Sequence, residues 1–560
     1  MNSFVLLRRN LAHYWRTNLA VVCGVAVAVA VLAGALLVGD SVRASLRELF
    51  LQRLGSAEQV ISGASFFREQ LAAEVEQDAR FPQSGLRAAC PLIVLRGTVT
   101  HEESKRWSSG VQIYGVDERF WRFHGREDAT APRDREMLVG ASLGEELGVR
   151  PGDHVLLRVE KPSAIPAESL HGRKEDLGRT LRLTARSRLD AAALGEFSLQ
   201  PQQTAVSVVF VPLRLLQKEL EQEGKVNTIL LSAQNSGAAD RTNDDALRGI
   251  LKDRAGLEDL GIKLRALGEQ RALSLETESA LVSNSLAETA TAAAERLGLR
   301  PQPVFSYLAN SIRSGPRDIP YSLVTAVDDE SFEKLRSAGA PVPSPSSSPT
   351  PTAPTSSSLP PIVLNEWAAR ELGVPLGAPV TLEYYLWHEG GRLTTAAAEF
   401  QLAGVVPVEG LASDRNLVPE YPGITGSESL SGWDPPFPVD LARIRDRDEE
   451  YWDQYRTTPK AFIQLAKGQE LWPSRFGKLT SLRLLAPADA PLDATLESYR
   501  SALRAALDPA QAGLAIYAAR EEGLKAAKGA TNFGEYFLYF SFFLVVSALM
   551  LAALFFKLGV

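Results

Sequence analysis

Gly140-Ala141-Ser142-Leu143-Gly144 spells G-x-S-x-G, the pattern that in hydrolases raises a nucleophilic serine on a sharp strand-to-helix turn. A second copy of the same element argues against that chemistry. At the corresponding place it has Asn365-Glu366-Trp367-Ala368-Ala369 and no serine. The glycines and Ser142 then read as a strand–helix connection with an N-cap-type residue. The histidines (His13, His101, His124, His154, His171 and His388) form no pair at metal-ligand spacing, and Cys23 and Cys90 are far apart, so no metal site is expected. Asp446, Asp448, Glu449, Glu450 and Asp453 form an acidic run interleaved with Arg443, Arg445 and Arg447. That mixture predicts a solvated, salt-bridged helix; an EF-hand calcium loop would need a spacing and a glycine that are absent. No G-x-x-x-x-G-K-[ST] occurs, so ATP binding through a P-loop is excluded. The expectation is a protein that is not an enzyme, with no catalytic, cofactor-binding or metal-binding residue.

The elements that would position any site are marked by hydropathy. The chain has 560 residues, 45% hydrophobic and 23% charged, a soluble-protein average that hides two long apolar runs. Leu19–Val38 and Tyr536–Phe556 each lack a charged residue and are long enough to cross a bilayer as helices. Tyr536, Phe537, Tyr539 and Phe540 at one end of the second run, and Phe555 and Phe556 at the other, suit the two membrane interfaces. The basic flank Arg8, Arg9 and Arg16, with no acid before residue 19, predicts a cytoplasmic N-terminus. The region between the runs would then lie outside with a net charge near −11, once those arginines and Lys557 are set aside. Nucleic acid is not expected as a partner of such a surface. A cleaved signal peptide is the other reading of the first run, with Ala33-Gly34-Ala35 as its small-residue site.

Phe4, Leu7, Leu11 and Tyr14 recur at helical spacing and predict a short amphipathic helix on the inner membrane surface. Within the first run Gly24, Ala26, Ala30 and Gly34 offer small side chains, the last three on one face, for close contact with another membrane helix. Beyond it, Val42, Leu46, Leu49 and Phe50 continue a helical stripe that reads as a stalk.

The outer region repeats itself. Met137–Leu157 and Ile362–Leu382 agree at seven of twenty-one positions, including Glu146-Leu147-Gly148-Val149 against Glu371-Leu372-Gly373-Val374. Strand-like partners recur at Val206–Val211 and Ala461–Leu465, and at Asn227–Leu231 and Ser481–Leu485. Each copy is expected to end in a helix and a short apolar strand, near Ile262 and near Ile516. The stretch 341–361, dominated by proline and serine, is expected to be a disordered loop inserted in the second copy.

The start of the chain, His13-Tyr14-Trp15-Arg16-Thr17-Asn18-Leu19-Ala20, and the span exit Leu36-Leu37-Val38-Gly39-Asp40-Ser41-Val42-Arg43 resemble an FtsX-like ABC transporter permease. Asn365–Leu382 with Phe400–Val406 resembles the MacB-type periplasmic core domain. Trp433-Asp434-Pro435-Pro436 and the run Tyr451–Ile463 resemble a large-ectodomain branch of these permeases. The apolar runs and the repeat, together with this resemblance to MacB-like core domains, predict a fold of the α+β class: two transmembrane helices flanking a large extracytoplasmic region of two tandem related modules. The corresponding segments are a cytoplasmic amphipathic piece (1–18), a first span (19–38), a stalk (39–56), module 1 (57–267), module 2 (268–520), a second stalk (521–535), a second span (536–556) and a cytoplasmic end (557–560). The resemblance further implies a multi-pass protein of the cell inner (plasma) membrane. Its partners would be a separate ATP-binding subunit, a second permease copy or paralogue, and membrane lipids. The later spans and the cytoplasmic coupling segment of that family are missing from these 560 residues, as in a fragment, a split-gene product or a degenerate copy. A two-span sensor with a duplicated ligand domain, or a membrane-anchored scaffold, has the same topology. Further hydrophobic spans downstream of Val560 would mark a permease, and a long cytoplasmic helical or kinase segment a receptor.

Overall fold

A computed structural model describes residues 3–527 apart from 128–130, 161–164, 166–168, 172–177, 203, 235–243, 339–358, 389–391, 422 and 434–436, together with scattered positions from 539 onward. Two helices open the chain, α1 (Ser3–His13) and α2 (Trp15–Leu54). The amphipathic segment expected around Phe4–Tyr14 is thus helical, with its large apolar residues exposed. In α2 the first apolar run and the stalk form one unbroken rod of 40 residues, about 60 Å at 1.5 Å per residue. It stops at Gly55, whose φ of 62° takes the chain into the left-handed region. Among the described residues α2 is the one helix long and apolar enough to cross a membrane. The second run, 536–556, lies largely outside the described residues.

The next elements are β1 (Gln59–Arg68), α3 (Gln70–Glu76), β2 (Leu86–His101), β3 (Trp107–Val116), α4 (Glu118–Phe123), β4 (Glu136–Gly140), α5 (Ala141–Leu147), β5 (His154–Val159), β6 (Arg179–Leu189), β7 (Val208–Pro212), α6 (Leu213–Glu219), β8 (Lys225–Ala233) and α7 (Asp244–Arg254). A second series runs from β9 (Ile262–Leu267) through β10 (Ala272–Thr277), α8 (Asn284–Arg296), β11 (Arg300–Ser314), β12 (Arg317–Val327), α9 (Asp329–Ala338), β13 (Pro361–Asn365), α10 (Glu366–Leu372), β14 (Pro379–His388), β15 (Arg392–Val406), α11 (Asp446–Tyr455), β16 (Ala461–Gln464), α12 (Leu465–Leu471) and β17 (Ser481–Leu485) to α13 (Leu492–Ala506). The described chain closes with β18 (Leu514–Tyr517) and α14 (Ala519–Ala527).

These strands form two nine-stranded sheets, β18-β1-β8-β2-β3-β7-β4-β6-β5 and β12-β16-β13-β15-β14-β11-β17-β10-β9. In the first, β2 also pairs with β5, which closes a ring β2-β3-β7-β4-β6-β5 and leaves β8, β1 and β18 as an extension. In the second, β11 pairs with both β12 and β14, which closes the ring β11-β12-β16-β13-β15-β14 in the same way. Each ring contains two parallel pairs, β3–β7 and β4–β6 in the first, β12–β16 and β13–β15 in the second.

The strand partners depart from the sequence reading at the ends of the two series. The strand near Ile262, β9, pairs with β10 in the second sheet, and the strand near Ile516, β18, pairs with β1 in the first. Sheet membership therefore cuts across the boundaries 57–267 and 268–520: each terminal strand completes the edge of the other series. The chain enters the first sheet through α2 and β1, builds the second sheet, then returns beside β1.

Alternation along the strands loads both faces of the first sheet. Ile61, Ile93, Ile229 and Leu231 pack with Leu71 and Val75 of α3 and Leu247 and Ile250 of α7. Val60, Leu92 and Leu230 point the other way, toward Phe50 and Leu54 of α2. In the second sheet, Leu273 and Leu275 pack with Ala290 and Ala294 of α8 and Tyr499 and Leu503 of α13.

The β5–β6 connection reaches across to the second ring. Leu170 joins its core, and the His171 ring stacks on Tyr421 with centroids 4.9 Å apart. Leu170 holds a φ of 57°, a conformation uncommon for a residue with a Cβ. Burial pushes the His171 imidazole down to about 4, so it sits there neutral.

The acidic run is the helix α11, and it is less solvated than its composition predicts. Asp448 is buried and accepts from the Arg445 backbone N–H at 3.1 Å and from its guanidinium at 2.7 Å, while Tyr451 and Trp452 face the core. The interleaved arginines are engaged, Arg443 with Asp318 (2.7 Å) and Arg447 with Glu371 (2.6 Å). The proline/serine segment lies outside the described residues over 339–358, and Pro361 already belongs to β13.

Candidate functional site

Where α2 ends, a polar and aromatic junction fixes the rod to the first sheet. Phe50 and Leu54 are buried in the core that contains Val60, Leu92, Phe197 and Phe210; burying such side chains stabilises by about 2 kcal/mol each. Arg53, between them and also buried, donates from Nε to Glu196 Oε2 at 2.8 Å and from Nη1 to the Gln202 carbonyl at 2.7 Å. Its Nη2 pairs with the same carboxylate oxygen at 2.5 Å. The other oxygen of Glu196 accepts from Ser142 Oγ at 3.0 Å.

His124, at the end of α4, closes the junction from the side. Its Nδ1 accepts from the Ser56 backbone N–H at 3.1 Å, which fixes a neutral tautomer with the proton on Nε2. Burial pushes its value down to about 3, so the ring stays neutral at physiological pH. Gly55 is required here: a Cβ would collide with the His124 ring, and the φ is positive.

The returning chain meets the same point. Arg520 pairs with Glu58 at 2.7 Å and donates from Nη2 to the Gly55 carbonyl at 3.3 Å. The α14 helix packs on α2 so closely that a Cβ on Gly523 would overlap the Phe50 ring. Both the outgoing rod and the returning helix are thus clamped to the edge pair β1–β18.

Residues that the sequence marks for membrane contact lie elsewhere. Gly24, Ala26 and Ala30 are exposed along α2 and Gly34 is half-buried; nothing packs within 4 Å of a Cβ at Gly24 or Gly34. Arg8, Arg9 and Arg16 are exposed on α1 and at the start of α2. Ser142 is not an N-cap: Gly140 holds that position of α5 without a side-chain bond, whereas Asn365 caps α10 by accepting from the Ala368 N–H at 2.8 Å. Ser142 instead supports Glu196.

One group of side chains among the described residues could hold a cation: His101, Glu103 and Asp153 lie with their ligand atoms within 4.8 Å of one another. Their present bonds tie a hairpin: His101 Nδ1 lies 2.8 Å from Ser104 Oγ and Nε2 3.3 Å from Asp153, which joins the β2–β3 turn to the start of β5.

The junction residues Arg53, Glu196, His124 and Gly523 were missed by sequence reasoning. The one available signal was Phe50 in the stalk stripe.

Residues 19–248, from the apolar part of α2 to the middle of α7, match one protein family. The family is described as the MacB-like periplasmic core domain. The resemblance to MacB- and FtsX-type proteins read from the sequence is thereby borne out. The matched residues take in Arg53, His124, Glu196 and β1–β8, leave Arg520 and Gly523 of the returning chain outside, and stop before the second sheet. Among solved structures the chain is similar to the periplasmic region of MacB from Actinobacillus actinomycetemcomitans (8% identity, 36% of this chain and 86% of that chain, TM-score 0.23). It is similar to the extracellular domain of the noncanonic ABC-type transporter YknZ from Gram-positive bacteria (11% identity, 35% and 94%, TM-score 0.22). A domain of a protein described as a permease from Porphyromonas gingivalis is a further neighbour (14% identity, 37% and 84%, TM-score 0.23). No curated protein matches the chain.

Proposed function

We propose that this chain is a transmembrane permease subunit, or part of one, of an ABC transporter of the FtsX/MacB/LolCE mechanotransmission type. In this reading a separate ATPase works on the cytoplasmic side, and its cycle moves domains outside the membrane that act on lipid, lipoprotein, peptide or cell-envelope targets. The observation that carries the reading is the continuity of α2. An apolar segment long enough to span a bilayer runs without a break into a buried Arg53–Glu196 pair at the base of a MacB-like core domain. A packed rod with a pinned end passes on a rigid-body shift, whereas a hinge at that point would absorb it.

An inner-membrane location, a second span at 536–556, and a second permease copy or paralogue packed against Gly24, Ala26, Ala30 and Gly34 belong to the same reading. So does the derivation of both sheets from one duplicated module, which their matching ring connectivity supports. The chain itself contributes no ATP hydrolysis in this scheme.

Spin labels at Ser45 on α2 and Lys252 on α7, in a complex with the partner ATPase, test it. The expected result is a distance that changes between nucleotide-free and ATP-trapped states, and a smaller or absent change in Glu196→Ala. An ATPase activity of the chain alone, or a stalk that moves while the first sheet stays still, would overturn the proposal.

A further inference from the structure

A half-open cavity of about 240 Å³ lies on the face of the first sheet that also receives the stalk. Its floor is β1, β8, β2 and β3, and one wall is Tyr517 of the returning strand β18. Several of its polar groups are already spent. The Asn227 amide exchanges two bonds of 2.8 Å with the Val94 backbone, Ser198 Oγ donates to the Gln200 carbonyl at 2.8 Å, and Tyr114 donates to the Phe197 carbonyl at 3.3 Å.

Others remain available. Arg96 is the only charged residue among the described residues lining the cavity. Its side-chain bond there is one from Nη2 to the neutral Gln200 Oε1 at 3.3 Å, and no described carboxylate pairs with it. That is unusual in a chain whose arginines elsewhere are so often paired with acids. The hydroxyls of Ser62 and Tyr517 and the amide of Gln112 line the same space and make no side-chain bond among the described residues. Arg96, Tyr114 and Tyr517 line the same cavity.

We propose that this cavity is a binding site for a small carboxylate of about amino-acid size, with Arg96 taking the carboxylate and Tyr517, Ser62 and Gln112 the remaining polar atoms. Guanidinium and carboxylate match as planar forks. One cation among neutral donors suits a monoanion; a phosphate dianion would call for further cations or a cradle of backbone N–H groups, and the described lining has neither. The volume falls below the roughly 300–1,000 Å³ of pockets for drug-sized ligands, which sets the size class. Because Tyr517 closely precedes α14, a bound ligand would bridge β2 and β3 to the returning strand beside the stalk junction. The site does not depend on the transport reading, and binding is measurable without any ATPase.

Calorimetric titration of the full chain in detergent with N-acetylalanine is the test, with N-acetylalaninamide and inorganic phosphate as parallel arms. The acid is expected to bind saturably, and the amide and phosphate not to bind. Arg96→Gln should weaken the acid by at least about tenfold, the loss of one charge-assisted interaction, and Tyr517→Phe should weaken it by a smaller factor. Arg96 is exposed, so its replacement should leave the melting temperature unchanged; if it does not, Tyr517→Phe with Gln112→Ala carries the same comparison. No binding of the acid, equal binding of acid and amide, tighter binding of phosphate, or undiminished binding by Arg96→Gln would each overturn the proposal.

Discussion

The two sheets share one connectivity down to an irregularity: the parallel pair β4–β6 slips register between Met137 and Leu138, and β13–β15 slips between Ile362 and Val363. What differs is the occupant of one face. In the first sheet Leu138 and Phe210 pack under Phe50 and Leu54, the end of a helix that comes from outside the sheet. In the second, Val363 and Phe462 are covered by Ala412 and Leu417, contributed by the chain segment just after β15. Each cover is pinned by an arginine–carboxylate pair with a buried arginine, Arg53–Glu196 in the first and Arg483–Asp414 in the second. Among the described residues the first sheet thus receives the end of the rod, while the second is covered by its own chain segment. Exchanged strands β9 and β18, the Leu170–His171 contact, and a Lys225–Glu278 pair at 2.9 Å join the two.

Breaking the pins separates the bodies, and the second pin should cost more. Arg483 and Asp414 are almost fully buried and meet at 2.5 Å. Asp414→Ala leaves a buried guanidinium unpaired and should destabilise by about 3–5 kcal/mol. Hydrogen exchange should locate the loss in β10–β17, with β1–β8 retaining their protection. Glu196→Ala strands Arg53 in a less enclosed place, since Glu196 keeps some exposure; about 2–3 kcal/mol is expected there. The exchange should then rise around 50–60 and 120–124 instead.

A third substitution falls at a position where the bodies disagree. Aligning the parallel pairs β3–β7 and β12–β16 sets Val208 of the first ring against Lys460 of the second. Lys460 is buried, its ammonium 4.8 Å from the Trp367 and Tyr451 ring centres. Burial pushes it down from 10.5 to about 8. The unfolded chain therefore holds this proton more firmly than the folded one, and stability should rise as pH climbs from about 8 to 10.5. Lys460→Met should remove that rise and stabilise the protein at neutral pH by about 2 kcal/mol, less than the full shift because the cation–π contacts are lost with it. Denaturant titrations at neutral and alkaline pH check both statements. The smallest effect is expected from deleting 343–358: loop-closure entropy changes slowly with length, so stability should move by less than about 0.5 kcal/mol.

The strand–helix–turn–strand element common to the two rings was legible because it rests on local chemistry. Gly148 and Gly373 end α5 and α10 with φ of 73° and 59°, a conformation that glycine adopts at no cost, and the apolar strands around them alternate or run buried as their period requires. The α2 rod was legible from its apolar length. The strand exchange was not, because β9 and β18 are short apolar segments that fit any open edge; which edge they take is decided by the tertiary path. The junction was equally hidden. Arg53 resembles Arg43 and Arg47 in the same stalk, and its partner Glu196 lies 143 residues away. The acidic helix α11 misled in the opposite direction, since its charge count concealed the buried Asp448, Tyr451 and Trp452.

Everything proposed for the stalk depends on the returning chain completing the first sheet, so that the end of α2 and the start of α14 meet on one body. Ser62 of β1 and Ala515 of β18 are directly opposed, and facing positions of an antiparallel pair have Cβ atoms about 4.5–5.5 Å apart, near enough for a disulfide with little adjustment. In a chain carrying Cys23→Ser and Cys90→Ala, the pair Ser62→Cys and Ala515→Cys should oxidise to a single intramolecular bridge, detected by mass spectrometry of the peptides, in the intact membrane-embedded protein. Absence of that bridge, with Ala515→Cys instead joining a cysteine placed at Lys263 or Arg265 of β9, would put β18 on the second sheet and sever the link between the returning chain and the stalk.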